Sequence, residues 1–330
     1  MHVFDDGPAS DCATPRLQTE PHSFVQTARD MNTYLEVASQ ALVLIFVLST
    51  LFSVGLLVSA RGVLAAIRQR RWVAMALIAN FVVLPGAALG VGWWLQLAPP
   101  VQTALLLVAT APGSPALLRL NEFARGDQAK AVGLLVLLTS LTVLYQPLVL
   151  PMLLPGVSVS PIPIARTLVV TVLLPLMLGL LVKARWPLLA GRLRPFLARL
   201  GNISAVVSCF ILLPLVYLDA IKDVILDGSG LLVLFLYLPL AVGAGWWLGG
   251  PHTAQRRLLA LCCGQGSMGA AFVIAAHNLG DPHVIAMLLL ILWVSLALLI
   301  PLALVFRRQS MGNGADLSGK GGTAGPPGTS

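Results

Sequence analysis

Apolar residues in this chain do not alternate with polar ones. They run together for about one membrane thickness, stop at a polar cluster, and begin again. Nine runs follow this pattern, at about 36–60, 72–97, 101–118, 131–154, 165–182, 202–220, 230–249, 258–278 and 283–306. Their lengths of 18 to 26 residues suit a helix crossing about 30 Å of hydrocarbon. They are apolar on every face and rich in Leu, Val and Ala, which excludes the alternating strands of a barrel. The third run contains Pro112 and Pro115. The pattern predicts an all-α polytopic membrane protein of about nine transmembrane helices.

Composition agrees: 57% of the 330 residues are hydrophobic and 10% are charged, with a mean hydropathy of +0.88. A soluble protein carries about a quarter charged residues, so too little polar surface exists here to face water. The net charge of +8 raises a nucleic-acid partner, and the placement of the charges rejects it. With the N-terminus outside and the loops alternating, 17 of the 21 Lys and Arg fall inside, among them Arg70, Arg71, Arg119, Arg125, Lys130, Lys183, Arg194, Arg199, Arg256 and Arg257. The outside keeps most of the acids, including Asp219, Asp223 and Asp227. This positive-inside distribution predicts a multi-pass cell-membrane (plasma or inner membrane) protein with its C-terminus in the cytoplasm.

Residues 1–35 are polar, without the apolar core of a signal peptide, and read as a flexible extracytoplasmic arm. Residues 307–330 are Gly-rich and read as a disordered cytoplasmic tail. The four cysteines, Cys12, Cys209, Cys262 and Cys263, show neither metal spacing nor a disulfide framework.

The chain also repeats itself. VVLPGAALGVGWWL at 82–95 returns as LYLPLAVGAGWWLG at 236–249. Pro85 and Pro239, Gly113-Ser114 and Gly266-Ser267, Gly126-Asp127 and Gly280-Asp281, and Pro147 and Pro301 all keep a separation of 153 or 154 residues. The copies lie five spans apart, and an odd displacement gives them opposite polarity in the membrane. The halves are 36–154 and 202–306, joined by 155–201, a linking helix and a basic cytoplasmic loop. Inverted-topology repeats of this kind are the framework of many secondary transporters.

Matching Gly/Pro-interrupted spans in two such halves point to a binding site. Here they are VATAPGSPALLRL (108–120) and LCCGQGSMGAAFV (261–273). Proline removes backbone donors and glycine lets the chain leave helical geometry, so unpaired backbone groups there must be buried or line a wet cavity. The candidate residues for substrate or ion binding are Asn80, Thr110, Pro112, Gly113, Ser114, Gln265, Gly266, Ser267 and His277. Arg119 and Glu122 are spaced to pair on a helix. Gly86-xxx-Gly90 and Gly245-xxx-Gly249 read as close helix contacts. No paired acids, Ser/His/Asp set or metal cluster lies at membrane depth, so no enzyme is expected.

ALIANFVVLP (76–85), APGSPALLRLNEFARGD (111–127) and AQRRLLALCCGQGSMGAAFVIAAH (254–277) resemble the corresponding segments of the bile acid:sodium symporter family. The resemblance covers about 50–306 and implies two broken, crossing helices, a secondary transporter and a small organic anion as substrate. The positions where that family binds sodium fall on Leu117, Leu118, Ala131, Leu135 and Leu261. Leucine and alanine offer no side-chain oxygen to replace the ion's water. The expectation is thus a divergent member that carries a small organic anion across the bilayer by alternating access, without cofactors. Its coupling to sodium or protons is left open. The alternative is a transport-inactive membrane sensor or scaffold of the same fold.

Overall fold

The computed structural model describes residues 21–57, 69–154 and 161–320, with side chains over 33–57, 69–154 and 161–309. Twelve helices follow in order: α1 Pro21–Leu57, α2 Arg70–Leu95, α3 Pro99–Ala109, α4 Ala116–Phe123, α5 Gln128–Leu153 and α6 Pro161–Arg185, then α7 Pro187–Val216, α8 Leu218–Leu226, α9 Ser229–Leu248, α10 Thr253–Gly264, α11 Met268–Ile274 with a final turn Ala275–Leu279, and α12 Pro282–Lys320. No strand occurs among the described residues. Eight helical segments are long and apolar enough to cross a membrane, the pair α10–α11 counting as one, and α3 is a shorter apolar helix. The chain is an all-α, multi-pass membrane protein.

The expected third span is two half-helices: the chain leaves helical geometry between Ala109 and Ala116, where two prolines and Gly113 interrupt the hydrogen-bond ladder. The basic stretch 187–201, expected as a loop, forms the first half of α7. Backbone helix is described from Pro21 and as far as Lys320, while the rest of the expected arm and tail, 1–20 and 321–330, lies outside the described residues.

The two ends of the bundle differ in charge. Helix α12 spans about 42 Å from Pro282 to Gln309, at 1.5 Å per residue. At its start, His283 lies 3.6 Å from Asp223 of α8 and 3.4 Å from Asp281; at its far end, Gln309 accepts from Arg257 at 3.4 Å. Gln255 in turn donates to Gln69 at 2.8 Å, which gathers Arg70, Arg71, Arg256 and Arg257 at this second, basic end. Asp219, Asp223, Asp227 and Asp281 belong to the acidic end.

These ends fix the direction of every repeated element. Helix α2 leaves the basic end at Gln69, whereas its counterpart α9 arrives there, Gly249 packing on Arg256. The pair α3–α4 runs toward the basic end, and α10–α11 runs away from it. Helix α5 starts at the basic end and α12 at the acidic end. Related elements run oppositely, as an inverted repeat requires. The Gly-Asp landmark now has a cause: each Asp caps the helix that follows. Asp127 Oδ1 accepts from the N–H groups of Ala129 and Lys130 at 3.0 and 3.2 Å, and Asp281 Oδ1 from His283 N–H at 2.9 Å.

Three helices carry a π turn just before a proline: Ala79–Val83 before Pro85, Val169–Leu173 before Pro175, and Ser208–Leu212 before Pro214. The proline ring cannot sit against the carbonyl four residues back, and one extra residue in the turn relieves the clash.

The broken pair α10–α11 forms the centre, with 89% of its most apolar window buried, against 28% for α7 on the lipid-facing outside. Close glycine contacts are only partly where the sequence places them. A Cβ at Gly245 would sit 2.6 Å from the Leu259 carbonyl oxygen, and one at Gly249 would meet the backbone of Arg256. Gly86 and Gly90 meet nothing within 4 Å and are exposed: the same spacing there faces outward. A close pair without that spacing is Gly55 of α1 with Gly179 of α6, where a Cβ on Gly55 would lie 2.9 Å from the Gly179 Cα.

Candidate functional site

The two breaks meet. Ser267 N–H donates to the Ala111 carbonyl at 2.6 Å. A Cβ on Gly266 would lie 2.8 Å from the Val108 carbonyl oxygen. Only glycine permits this approach.

The carbonyls freed in the first break are taken up by α5. Thr142 Oγ1 donates to Pro112 O at 3.0 Å and is also 2.9 Å from Leu138 O; Thr139 Oγ1 donates to Gly113 O at 3.1 Å. Gln146 Nε2 donates to Leu107 O at 3.3 Å and to Thr110 Oγ1 at 3.4 Å. Gly113 sits at φ +96° against the Thr139 backbone, a conformation that disfavours a side chain. Sequence reasoning missed Thr139, Thr142 and Gln146, although their spacing puts three buried polar residues on one face of α5.

Asn80, Pro112, Gln265 and Gly266 line one void of about 10 Å³ at the crossing, beside Cys262 and Cys263. Asn80 lies in a π turn, with Nδ2 donating to Ala76 O at 2.8 Å. Its Oδ1 and the Oε1 of Gln265 are buried without a hydrogen-bond partner among the described residues. Thr110 donates to Leu106 O at 2.7 Å, Gly113 packs on α5, and Ser114 Oγ accepts from Ala116 N–H at 3.3 Å. Those three shape the break, as Ser267 does through its backbone. His277 stands apart in the turn Ala275–Leu279, exposed, with Nδ1 3.2 Å from Val273 O.

A cavity of about 440 Å³ leads from the crossing toward the basic end, well within the size range of small-molecule sites. Its deep part is made by Gln265, Met268 and Pro115, and its walls by Phe46, Thr50 and Ser53 of α1, Asn202 and Cys209 of α7, and Leu292 of α12. Arg119, Glu122 and Arg194 stand toward the basic end. Arg119 and Glu122 pair at 3.5 Å, as their spacing predicts, and both are more than half exposed. Thr50 Oγ1 joins Gln265 Oε1 as a buried polar atom without a partner among the described residues. The cavity shares Leu57, Arg119, Arg194, Ala198 and Asn202 with a second hollow of about 530 Å³. At the acidic end, the void beside His277 is about 10 Å³, under a contact of Tyr217 Oη with Glu36 Oε1 at 3.4 Å.

The positions that the family resemblance links to sodium are apolar and packed. Leu117, Ala131, Leu135 and Leu261 are essentially inaccessible. Leu135 forms a small cluster with Val54, Val132 and Leu176, against which Leu118 packs. Among the described residues no group of three His, Cys, Asp or Glu could hold a metal ion.

Inverted repeats, two broken helices in contact and a cavity ending on their crossing define a membrane protein of the transporter type. The sequence profile of the Sodium Bile acid symporter family matches residues 41–221, more than half of the chain. The chain belongs to this family of transporters. It is also similar to the uncharacterised sodium-dependent transporter YocS of Bacillus subtilis (strain 168), with 28% identity over 144 residues, 42% of this chain. The chain spans 44% of the length of that relative in the match.

Proposed function

We propose that the protein is a secondary transporter that moves a small, partly apolar organic anion across the cell membrane by alternating access. One observation carries this reading: the 440 Å³ cavity begins at the crossing of two oppositely directed broken helices and reaches Arg119 and Arg194 at the basic end. Apolar walls accept the body of the substrate, and Gln265 and Thr50 offer polar atoms that are unpaired among the described residues to orient it. Arg119 and Arg194 supply the positive potential that draws an anion in. On this reading the basic end is cytoplasmic, as the positive-inside rule supports, and the cavity opens inward.

Sodium does not drive the cycle through side chains at Leu117, Leu118, Ala131, Leu135 and Leu261, which have no side-chain oxygen to offer. Any coupled cation would sit at the crossing, held by backbone carbonyls with Asn80 and Gln265.

The test is uptake into proteoliposomes of a panel of organic anions, with and without sodium and with and without a pH gradient. Saturable uptake of at least one anion, insensitive to replacement of sodium, is expected. A steep sodium dependence would overturn the coupling assignment alone. Absence of flux for the whole panel, with Asn80→Ala and Gln265→Ala both silent in cells, would favour a sensor or scaffold, the reading motivated by the apolar replacements.

A further inference from the structure

We infer that the hollow beside the cavity mouth is a binding site for the phosphate headgroup of an anionic glycerophospholipid. The site adjoins the substrate cavity, with which it shares Arg119 and Arg194, while Lys183 and Arg199 line the hollow alone. The hollow, about 530 Å³, lies between the end of α1, Arg119 of α4, Lys183 of α6 and the first turns of α7. Arg119, Lys183, Arg194 and Arg199 all line it, and no Asp or Glu does so among the described residues. Arg119 shares its charge with Glu122; the other three cations have no carboxylate partner among the described residues. Three such charges around one hollow repel each other, and a phosphate placed among them relieves the repulsion.

Its position favours a lipid over a soluble phosphate. The outer faces of the two helices that frame it are apolar and exposed, with Leu181 on α6 and Leu188 and Phe196 on α7. Trp186, at the junction of these helices, is 55% exposed, a residue type that settles at headgroup depth. Basic pockets between spanning helices bind anionic headgroups by this combination of charge and location. The space is genuinely open at its α7 wall: a Cβ on Gly191 would meet nothing within 4 Å. Acyl chains can therefore lie along Leu188 and Phe196 while the phosphate reaches Lys183 and Arg199.

The experiment uses the purified full chain in nonionic detergent, titrated with dioleoylphosphatidylglycerol, dioleoylphosphatidylcholine or glycerol 3-phosphate while melting is followed. Phosphatidylglycerol is expected to raise the melting temperature at concentrations where phosphatidylcholine does not. The double variant Lys183→Ala/Arg199→Ala should weaken the apparent affinity about thirtyfold, from two lost cations near a charged lipid. Gly191→Leu keeps every charge but pushes an apolar side chain into the hollow from its α7 wall, and should weaken the response while melting normally without lipid. Equal responses to the two lipids, or a phosphatidylglycerol response that neither variant weakens, would overturn the proposal. A response to glycerol 3-phosphate matching that to phosphatidylglycerol would overturn the lipid assignment in favour of a soluble phosphate.

Discussion

The backbone N–H of Ser267 donates to the carbonyl oxygen of Ala111 at 2.6 Å, so the two interrupted helices are joined main chain to main chain at the point where each loses its own ladder. The bond satisfies a group that lipid could not, and it holds Gly266 against Val108. The crossing is thus a built joint between the two repeats, and the cavity starts at it.

Gly266→Ala forces a methyl group onto the Val108 backbone. The cost is about 1–3 kcal/mol, and a lower melting temperature in detergent with reduced uptake is expected. Gly86→Ala is the control. Its new methyl meets nothing, and melting should be unchanged or slightly raised, since alanine favours the helix.

Thr142→Val and Thr139→Val keep side-chain shape while removing the donors to Pro112 O and Gly113 O. Each leaves a buried carbonyl short of a partner, at about 1–3 kcal/mol. Thermal melting of the single variants should show both losses. Thr167→Val, removed from the crossing, should melt like the wild type.

At the acidic end Asp223 contacts His283 and Tyr217 contacts Glu36, and under the proposed alternating access these contacts would have to part for the outward-open state. The histidine pair is partly exposed, 66% and 43% for its two side chains, and such a pair contributes about 0–1 kcal/mol. His283→Ala should shift the balance between inward-open and outward-open states by up to about fivefold. Side-specific thiol labelling of a cysteine introduced at Gln40, which lines the void beneath the Glu36–Tyr217 contact, would read the shift as faster labelling from outside.

Much of the fold was legible because repeat landmarks are backbone punctuation. Pro112, Gly113 and Pro115 announce a break, and the Gly-Asp pairs mark one helix stopping and the next being capped. These effects act within a few residues, so sequence shows them. The cavity wall was less legible. Thr50, Ser53, Arg194 and Asn202 come from helices more than a hundred residues apart, and only packing brings α1 and α7 together. Arg194 read as a topology signal because nothing local separates an arginine facing a cavity from one facing headgroups. Gly86-xxx-Gly90 shows the converse: spacing defines a face of small residues, but not whether a neighbour covers it.

The central claim is that access to the crossing alternates between the two sides of the membrane. Ser53→Cys, in a background with Cys12, Cys209, Cys262 and Cys263 replaced by serine, puts a thiol in the cavity wall. Its labelling by a membrane-impermeant maleimide, applied separately to each side of oriented vesicles, tests the claim most directly. The account predicts rapid labelling from the cytoplasmic side, a slower outside reaction through the minor outward-open state, and slowing of both by a transported anion. Equal labelling from both sides that no anion alters, or labelling confined to the outside, would contradict it.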